Sequence, residues 1–384
     1  MNGKSLKGRL WWLLAVMGLL IVIGWIFSRG CLQKKPIFIG FAAQLTGKQA
    51  ELGVQERNGA QLAVEDVNAV KGVAGRPIEL VVQDDLGTPE GAQTANRKLI
   101  KTGVLAIVGH ATSGQTLAGL QVTDPARVLM LSPTTSTPAL NGRDDYFFRV
   151  IRTFVDRAQA FARYVYQGRR VTRLAFLYDT DNAAYSKAYL ETFRKEYTVL
   201  GGKVVSAAGF SSTAQPDFAP LISQLRASKA EGIFLITADY DTALIAQRTR
   251  LLGWKVPLFS SGWAQTEILI KNGGQAVEGM ELEQAYDMNS QTPALQEFKK
   301  RYQTRFGHPP SFGAALGYEA VRVLAAALQK TGGQAEGVKQ ALLEIRKFEF
   351  LADTFSFDKF GDVVRPYYFC IIREGKFATL KSLK

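Results

Sequence analysis

The sequence contains few of the residues on which most metal and enzyme chemistry depends. Its 384 residues include two cysteines and two histidines, and the histidines, His110 and His308, share no short motif. Because zinc and similar ions are held by clustered histidine and cysteine side chains, the sequence predicts no such metal site. It also lacks a Gly-x-Ser-x-Gly segment, which removes support for a serine hydrolase. We therefore expect no catalytic residues, no metal and no cofactor.

Acidic residues are missing from the first 31 residues. Lys4, Lys7 and Arg9 stand before an uncharged apolar run that extends over residues 10–27. A basic start followed by an apolar run is typical of an export signal. The same run is long enough for a marginal membrane span, so a cleaved signal and a retained anchor both stay open.

Cys31 follows this run and resembles the lipidated cysteine of a bacterial lipoprotein, although Arg29 departs from the usual sequence before such a cysteine. Lipidation of Cys31, retention of residues 1–31 as an anchor and simple cleavage remain three alternatives. In the two anchored forms the rest of the chain lies outside the cytoplasmic membrane. Cys370 is the other cysteine, and its apolar neighbours predict a buried free thiol.

The chain has no run of five basic residues, although its net charge is +13. Its lysines and arginines are scattered and are not interleaved with aromatic residues, so we expect no nucleic-acid partner. Hydrophobic residues make up 47% of the chain, which is typical of a globular protein. A length of 384 residues exceeds what one ordinary core supports, and two domains are therefore predicted.

The chain after residue 35 alternates between strand and helix. Strands are predicted at 36–41, 77–83, 103–108 and 128–131. A helix over 52–70 has apolar residues at i, i+3, i+4 and i+7 starting from Ala60. Thr88 is expected to cap the next helix. Such alternation predicts a parallel sheet covered by helices on both faces.

A second strand-and-helix series of similar size follows. Its strands are predicted at 174–178, 203–205, 232–237, 257–259 and 277–281. Apolar helices over 293–306 and 312–330 then need a sheet to cover, and we expect them to return to the first lobe. The predicted fold is α/β, with two doubly wound parallel-sheet lobes that the chain connects more than once. The lobes are expected to comprise 36–152 with 285–355, and 153–284 with 356–384.

Two hydroxyl-rich loops follow predicted strands of the first lobe. Thr112 and Ser113 lie after the third strand, and Thr134 and Ser136 lie after the fourth. Ligands of open α/β sheets bind beyond the carboxyl ends of strands, so these loops form a candidate small-molecule site. Residues 109–116 nearly match a P-loop but lack its lysine, which argues against nucleotide chemistry. A helix that starts there can still hold a carboxylate through its N-terminal amides.

The surroundings of these loops contain further polar residues. Asp84 and Asp85 follow a strand, and we favour a solvated turn over a metal or acid–base pair. His110 lies beside the candidate site, where ligand contact and a structural role both stay open. The strand ends of the second lobe carry four side chains that are expected to face the first-lobe hydroxyls: Tyr185, Asp239, Tyr240 and Trp263. Together they predict a binding site without catalytic groups.

Seven short segments together form a specific pattern. They are IGFAAQLTG at 39–47, GAQLAVEDVN at 59–68, IELVVQDD at 78–85, VGH at 108–110, LSPT at 131–134, YD at 178–179 and GYEAV at 317–321. With these segments the chain, from residue 36 onward, resembles the type I periplasmic binding proteins of ABC transporters, in particular the Leu/Ile/Val-binding branch. The resemblance implies two lobes joined by a three-crossing hinge, which close on the ligand.

The resemblance also implies roles for individual residues. In this branch, hydroxyls and backbone groups of the first-lobe loops hold the carboxylate and ammonium of an amino acid, and the matching positions are Thr112, Ser113, Thr134 and Ser136. Tyr185 matches a second-lobe tyrosine, and Leu52 is expected at the rim of the pocket. The family's ammonium-binding acid is replaced here by Gly262, beside Trp263. Asp239, on a neighbouring strand end, is a candidate for supplying the negative charge instead.

The function implied is that of an exported solute receptor, anchored to the membrane through its N-terminus. It is expected to be a monomer that captures a small molecule, an amino acid or a relative, and presents it to an ABC permease. The expected mechanism is hinge closure, with no catalysis. The alternative is a sensory receptor in which the same lobes signal through a partner membrane protein.

Overall fold

The computed structural model describes residues 11–12, 16–17 and 35–383 of the chain. Cys31 and nearly all of the predicted export signal lie outside these residues, so lipidation and anchoring stay predictions. Within the described residues, no helix is both long enough and apolar enough to cross a membrane. The described chain forms two large sheets, each covered by helices, and one short two-stranded sheet.

The first large sheet is parallel and has five strands in the order β2-β1-β3-β4-β5. Its strands are β1 (Ile37–Ala43), β2 (Ile78–Asp84), β3 (Ala106–Gly109), β4 (Leu129–Ser132) and β5 (Phe147–Arg149), connected up to β4 by α1 (Glu51–Ala69), α2 (Pro89–Thr102) and α3 (Ser113–Thr123). All residues of β3 and β4 are buried, as expected for strands covered on both faces. Thr88 caps α2 by accepting a hydrogen bond from the Gly91 amide at 2.9 Å, which confirms its predicted role.

The second large sheet has seven strands in the order β14-β13-β10-β9-β8-β6-β7. Its parallel strands are β6 (Arg173–Asp179), β7 (Lys203–Phe210), β8 (Gly232–Ile236), β9 (Leu258–Ser260) and β10 (Glu281–Gln284). Its helices are α4 (Val155–Arg163), α5 (Ala183–Val199), α6 (Phe218–Ala227), α7 (Asp239–Leu251) and α8 (Glu267–Gly273). The antiparallel hairpin of β13 (Tyr367–Arg373) and β14 (Lys376–Leu383) completes the edge beside β10. The chain thus forms two sheets covered by helices, one after the other along the sequence, as predicted.

The strand predicted at 277–281 is wrong. Residues Gly274–Val277 form a short 3₁₀ helix, and β10 begins only at Glu281. Gly279 lies between them with a left-handed φ of 77°, which an extended strand cannot contain. Residues 277–280 therefore form a turn that leads into the strand and are not part of the strand.

The chain then returns to the first sheet, as predicted from its apolar helices. Helices α9 (Pro293–Phe306), α10 (Phe312–Lys330) and α11 (Val338–Glu344) share a core with β1, β3 and α1. Helix α10 lies so close to α1 that a Cβ on Gly59 would stand 1.9 Å from the Ala314 carbonyl oxygen. Only glycine fits at this position. The two helices hold the first lobe together, although they are far apart in sequence.

The last connection between the sheets carries a buried arginine. After the hairpin of β11 (Phe348–Glu349) and β12 (Thr354–Phe355), the side chains of Phe357 and Val363 still pack in the first core. Arg365 then pairs with Glu319 at 2.7 Å, and both side chains are buried. The chain enters the second sheet at β13. Residues 356–363 therefore pack with the first lobe, whereas the sequence assigned them to the second.

Asp85, His110 and Cys370 are all buried in the structure. The solvated turn favoured at Asp84 and Asp85 is wrong for Asp85, which is buried and lies 2.6 Å from Nδ1 of buried His110. His110 takes a structural position under the loop and does not line the cavity described below. Cys370 is a buried free thiol, as expected from its apolar neighbours.

Candidate functional site

A cavity that is partly open to solvent lies where the carboxyl ends of the two sheets face each other. The loops after β3, β4 and β5 form one wall, and the loops after β6, β9 and β10 form the other. The residues that line it are Leu52, Ala111, Thr112, Ser113, Thr134, Ser136, Ile151, Arg157, Asn182, Tyr185, Gly262, Trp263, Gln265, Ala285 and Phe312. Its position agrees with the general rule for ligands of open α/β sheets.

The cavity brings together seven of the nine side chains selected from the sequence, and Tyr240 is one of the two that do not line it. The seven are Leu52, Thr112, Ser113, Thr134 and Ser136 from the first lobe, and Tyr185 and Trp263 from the second. Ser113 is the first residue of α3, so the N-terminal amides of that helix point towards the same space. Hydroxyl groups and a helix N-terminus together suit an anionic or strongly accepting group.

Asp239 is the other predicted residue that the structure does not bring to the cavity wall. It starts α7, where its carboxylate accepts hydrogen bonds from the Thr266 hydroxyl and, at 2.7 Å, from the Tyr240 amide. Burial raises the pKa of Asp239 to about 6, although these two hydrogen bonds act in the opposite direction. Its contacts fasten the starts of α7 and α8 to each other.

The loops of the first lobe are held by hydrogen bonds among their own groups. The Ser132 hydroxyl donates to the His110 carbonyl oxygen at 2.8 Å and accepts from the Thr135 amide at 3.0 Å. The hydroxyls of Thr116 and Thr135 lie 2.6 Å apart. All four residues are buried, so each bond satisfies a group that water does not reach. This wall of the cavity is consequently preorganised.

Glu56, on α1, is a buried acid beneath this wall that the sequence interpretation missed. The Thr134 hydroxyl oxygen lies 2.5 Å from Glu56 Oε1 and 2.6 Å from the Ala111 carbonyl oxygen. A hydroxyl has one proton, so it can donate to only one of these acceptors. Burial raises the pKa of Glu56 to about 8; the charge of nearby Asp85 also raises it, whereas the hydrogen bond with Thr134 lowers it. A protonated Glu56 donates to Thr134, which then donates to Ala111.

Arg157, on α4, is a second functional candidate that was missed. Its Nε lies 2.8 Å from Glu283 Oε2, and its Nη2 donates to the Ser136 hydroxyl at 3.1 Å. Arg157 and Glu283 are both buried. The signal in the sequence was a charged residue on the apolar face of a helix, four positions before Phe161. Its partner Glu283 lies within a strand and has no comparable signal.

An aromatic corner forms the rest of the second-lobe wall. Tyr185 and Trp263 meet edge to face with their ring centres 5.7 Å apart, and Phe154 supports Tyr185 from behind at 5.3 Å. Leu52 and Phe312 approach from the first lobe. The cavity therefore combines a polar end with an apolar body, which is typical of small-molecule sites.

Three direct contacts join the rims of the two lobes around the cavity. Lys48 Nζ lies 2.6 Å from Asp241 Oδ1, and the Gln49 side-chain amide donates to Asp179 at 2.8 Å. The Gly114 amide donates to Asn182 Oδ1 at 3.2 Å. Each contact links a loop or helix start of the first lobe to a strand end or helix start of the second. The structure is thus that of a closed form.

The comparisons with known proteins agree with this architecture. A family model described as periplasmic binding protein matches residues 36–376. A Leucine-, isoleucine-, valine-, threonine-, and alanine-binding protein from Pseudomonas aeruginosa is 25% identical over 363 residues, which are 93% of this chain and 95% of that protein.

Two solved structures have similar folds. A leucine-binding protein from Thermotoga maritima has a TM-score of 0.83 and 26% identity, with 90% of this chain and 98% of that chain covered. A branched-chain amino acid transporter substrate-binding protein from Streptococcus pneumoniae, solved with isoleucine, has a TM-score of 0.83 and 24% identity over the same shares of the two chains. At this identity the second likeness concerns the fold alone.

Proposed function

Because the chain belongs to the periplasmic binding protein family, we propose that it is an extracytoplasmic receptor for a small carboxylate-bearing solute. The solute is an amino acid or a related acid, held between the two lobes. Its relative from Pseudomonas aeruginosa is named for the amino acids that it binds. We propose that this chain hands its solute to an ABC permease as a monomer, and that it has no catalytic role.

The observation that carries this proposal is the cavity between two sets of strand ends, with rim contacts on both sides of it. Ligand that touches both walls stabilises the closed form relative to an open one, and this difference in affinity drives closure. Lys48 with Asp241, and Gln49 with Asp179, then add contacts that exist only when the rims meet. A receptor of this kind needs no catalytic group, since binding and release of the solute complete its proposed cycle.

We propose the lobe division predicted from the sequence with one adjustment. The first lobe comprises 36–152 with 285–363, and the second comprises 153–284 with 364–383. Packing of Phe357 and Val363 in the first core supports the later boundary. Rotation about the three connections would open the cavity. Anchoring through residues 1–31 or lipidation of Cys31 remains part of the proposal, and mass spectrometry of the mature N-terminus tests it.

Isothermal titration of the purified full chain against amino acids and carboxylic acids tests the proposal. Ser113→Ala removes a buried hydroxyl from the cavity wall and should weaken binding of a carboxylate by roughly 1–3 kcal/mol. Ser223→Ala is the matched control, because Ser223 is exposed on α6 and bonds only to the Ala219 carbonyl oxygen within its own helix. A chain that binds none of these solutes contradicts the proposal, and conversion of a bound solute contradicts the absence of catalysis.

A further inference from the structure

We infer that the solute of this receptor is a carboxylate that lacks an ammonium group. The inference rests on the proposed function and narrows its ligand class. The observation behind it is the distribution of charge around the cavity: a buried cation lines it, and no acidic side chain of the described residues does.

The cation is Arg157. Among the described residues that line the cavity, it is the one with a charged side chain. Its guanidinium is fastened by Glu283 at Nε, by the Arg152 carbonyl oxygen at 3.3 Å from Nη1, and by the Ser136 hydroxyl at 3.1 Å from Nη2. The side chain is 4% exposed, so it is preorganised and largely shielded from water. A guanidinium in this position attracts an acceptor and repels an ammonium.

Glu283 does not offer its charge to the ligand. It is fully buried on β10 and does not line the cavity. Its Oε1 accepts from the Gly262 amide at 3.0 Å, and its Oε2 lies 2.8 Å from Arg157. Oε1 is thus hydrogen-bonded and Oε2 is ion-paired. The negative charge of Glu283 is therefore offset by the guanidinium of Arg157, behind the surface that the ligand meets.

Gly262 cannot be replaced by an acid that would reach the ligand from this loop. A Cβ at position 262 would stand 2.6 Å from the Glu283 carbonyl oxygen, a separation at which backbone must shift. The loop after β9 therefore passes directly over β10 and leaves no space for a side chain. The same close approach lets the Gly262 amide reach the Glu283 carboxylate.

The other acids around the cavity are engaged as well. Glu56 shares its hydrogen bond with Thr134, and burial raises its pKa to about 8. Asp239 is held by Thr266, and Asp179 by Gln49. An ammonium placed in the cavity would lose its water without gaining an opposite charge, which is costly in a buried site. A carboxylate instead meets the Ser113 hydroxyl, the start of α3 and Arg157.

Besides the hydroxyls, Arg157 and the amides of Asn182 and Gln265, the larger side chains of the lining are apolar or aromatic: Leu52, Ile151, Tyr185, Trp263 and Phe312. Such a wall stabilises a hydrocarbon or aromatic body through burial. The solute class that fits the whole cavity is accordingly a monocarboxylate with an aliphatic or aromatic body and no amine.

Matched ligand pairs test this inference on the full chain by isothermal titration. Isocaproate is L-leucine without its ammonium group, and hydrocinnamate is L-phenylalanine without it. We expect the deaminated acid of a pair to bind more tightly than the amino acid by at least about tenfold, because the ammonium would meet no opposite charge in the cavity wall. Tighter or equal binding of the amino acid in both pairs overturns the inference and leaves the proposed function standing. Binding of neither acids nor amino acids overturns both.

A double variant tests the part assigned to Arg157. Arg157→Gln with Glu283→Gln removes both charges and leaves the buried region neutral. The preference for isocaproate over its amide, isocaproamide, should be present in the unaltered chain and fall by about tenfold in the folded double variant. An unchanged ratio in a variant with native circular dichroism overturns the role of Arg157. Should the variant fail to fold, the ligand pairs on the unaltered chain still decide the inference.

Discussion

The two walls of the cavity are built in different ways. On the first-lobe side, hydroxyl groups such as those of Ser132 and Thr134 bond to backbone carbonyls of neighbouring loops, and burial raises the pKa of Glu56 beneath them to about 8. On the second-lobe side, a buried ion pair of Arg157 and Glu283 stands beside aromatic rings. The first wall offers uncharged hydrogen-bond donors. The second wall contributes Arg157, the charged side chain in the cavity lining.

Under the proposed function, the first wall would hold the carboxylate of the ligand and the second wall would discriminate between ligands. A hydroxyl or a helix amide can donate a hydrogen bond to any carboxylate, because the carboxylate group is common to them all. A buried guanidinium with a fixed partner discriminates, since leaving either charge unpaired is expensive. Variants that alter one wall at a time therefore test whether the two walls differ in this way.

The largest effect is expected from breaking the charge pair of the second wall. Arg157→Met leaves the Glu283 carboxylate buried without its cation, which should cost about 3–5 kcal/mol of unfolding free energy. Denaturation by urea, followed by circular dichroism, measures this loss. Arg163→Met is the matched control, because Arg163 lies on the same helix as Arg157 and its more exposed pair with Glu196 of α5 should contribute at most about 1 kcal/mol. Equal losses in the two variants would show that burial of the pair is unimportant.

The stability of the folded chain should depend on pH through Glu56, beneath the first wall. The pKa of Glu56 is raised from 4.5 to about 8 in the folded chain, so the folded state holds more protons than the unfolded state between these values. Its contribution to stability is complete below pH 4.5 and is lost as the pH rises towards 8. Glu56→Gln keeps the hydrogen bond to Thr134 without the titration. The variant should therefore lose less stability on going from pH 6 to pH 8 than the unaltered chain, by up to about 1.4 kcal/mol per pH unit.

Urea denaturation at several pH values measures this difference, and the range above pH 6 isolates Glu56 from Asp239, whose pKa is raised to about 6. Glu191→Gln serves as the control, because its side chain is exposed and pairs with Arg194 on the same helix. If the stability of the unaltered chain and of Glu56→Gln changes in parallel with pH, Glu56 is ionised in the folded state and the neutral first wall is contradicted.

The sequence predicted the first wall better than the second, for a physical reason. Thr112, Ser113, Thr134 and Ser136 follow strands directly, and parallel strands bring their carboxyl ends to one edge. The alternation of strand and helix was therefore enough to place them together. The bounds of α9 and α10 also agree with the predicted helices, because Pro293 marks the start of α9 and Gly307, in the left-handed conformation, marks its end.

The second wall depended on pairings that no local pattern reveals. Glu283 and Arg157 are 126 positions apart in the sequence, and neither is informative without the other. Asp239 follows a strand, as a ligand-binding acid would, yet its carboxylate turns to Thr266. Asp85 was expected in solvent and instead pairs with His110. Each difference arises from a side chain that finds a partner on another element, which residue spacing cannot specify.

The smallest expected effect concerns the rims, where the two walls meet. Lys48 pairs with Asp241 across the opening at 2.6 Å and does not line the cavity. Because Lys48 is partly exposed, Lys48→Met should weaken ligand binding by at most about 1 kcal/mol. The loss should appear as faster dissociation in stopped-flow measurements, since the contact exists only in the closed form. Lys339→Met is the control, because Lys339 pairs with Asp144 at 2.7 Å within the first lobe. If both variants release ligand at the unaltered rate, the rim contact contributes nothing to closure, and the affinity difference between the open and closed forms comes from the two walls alone.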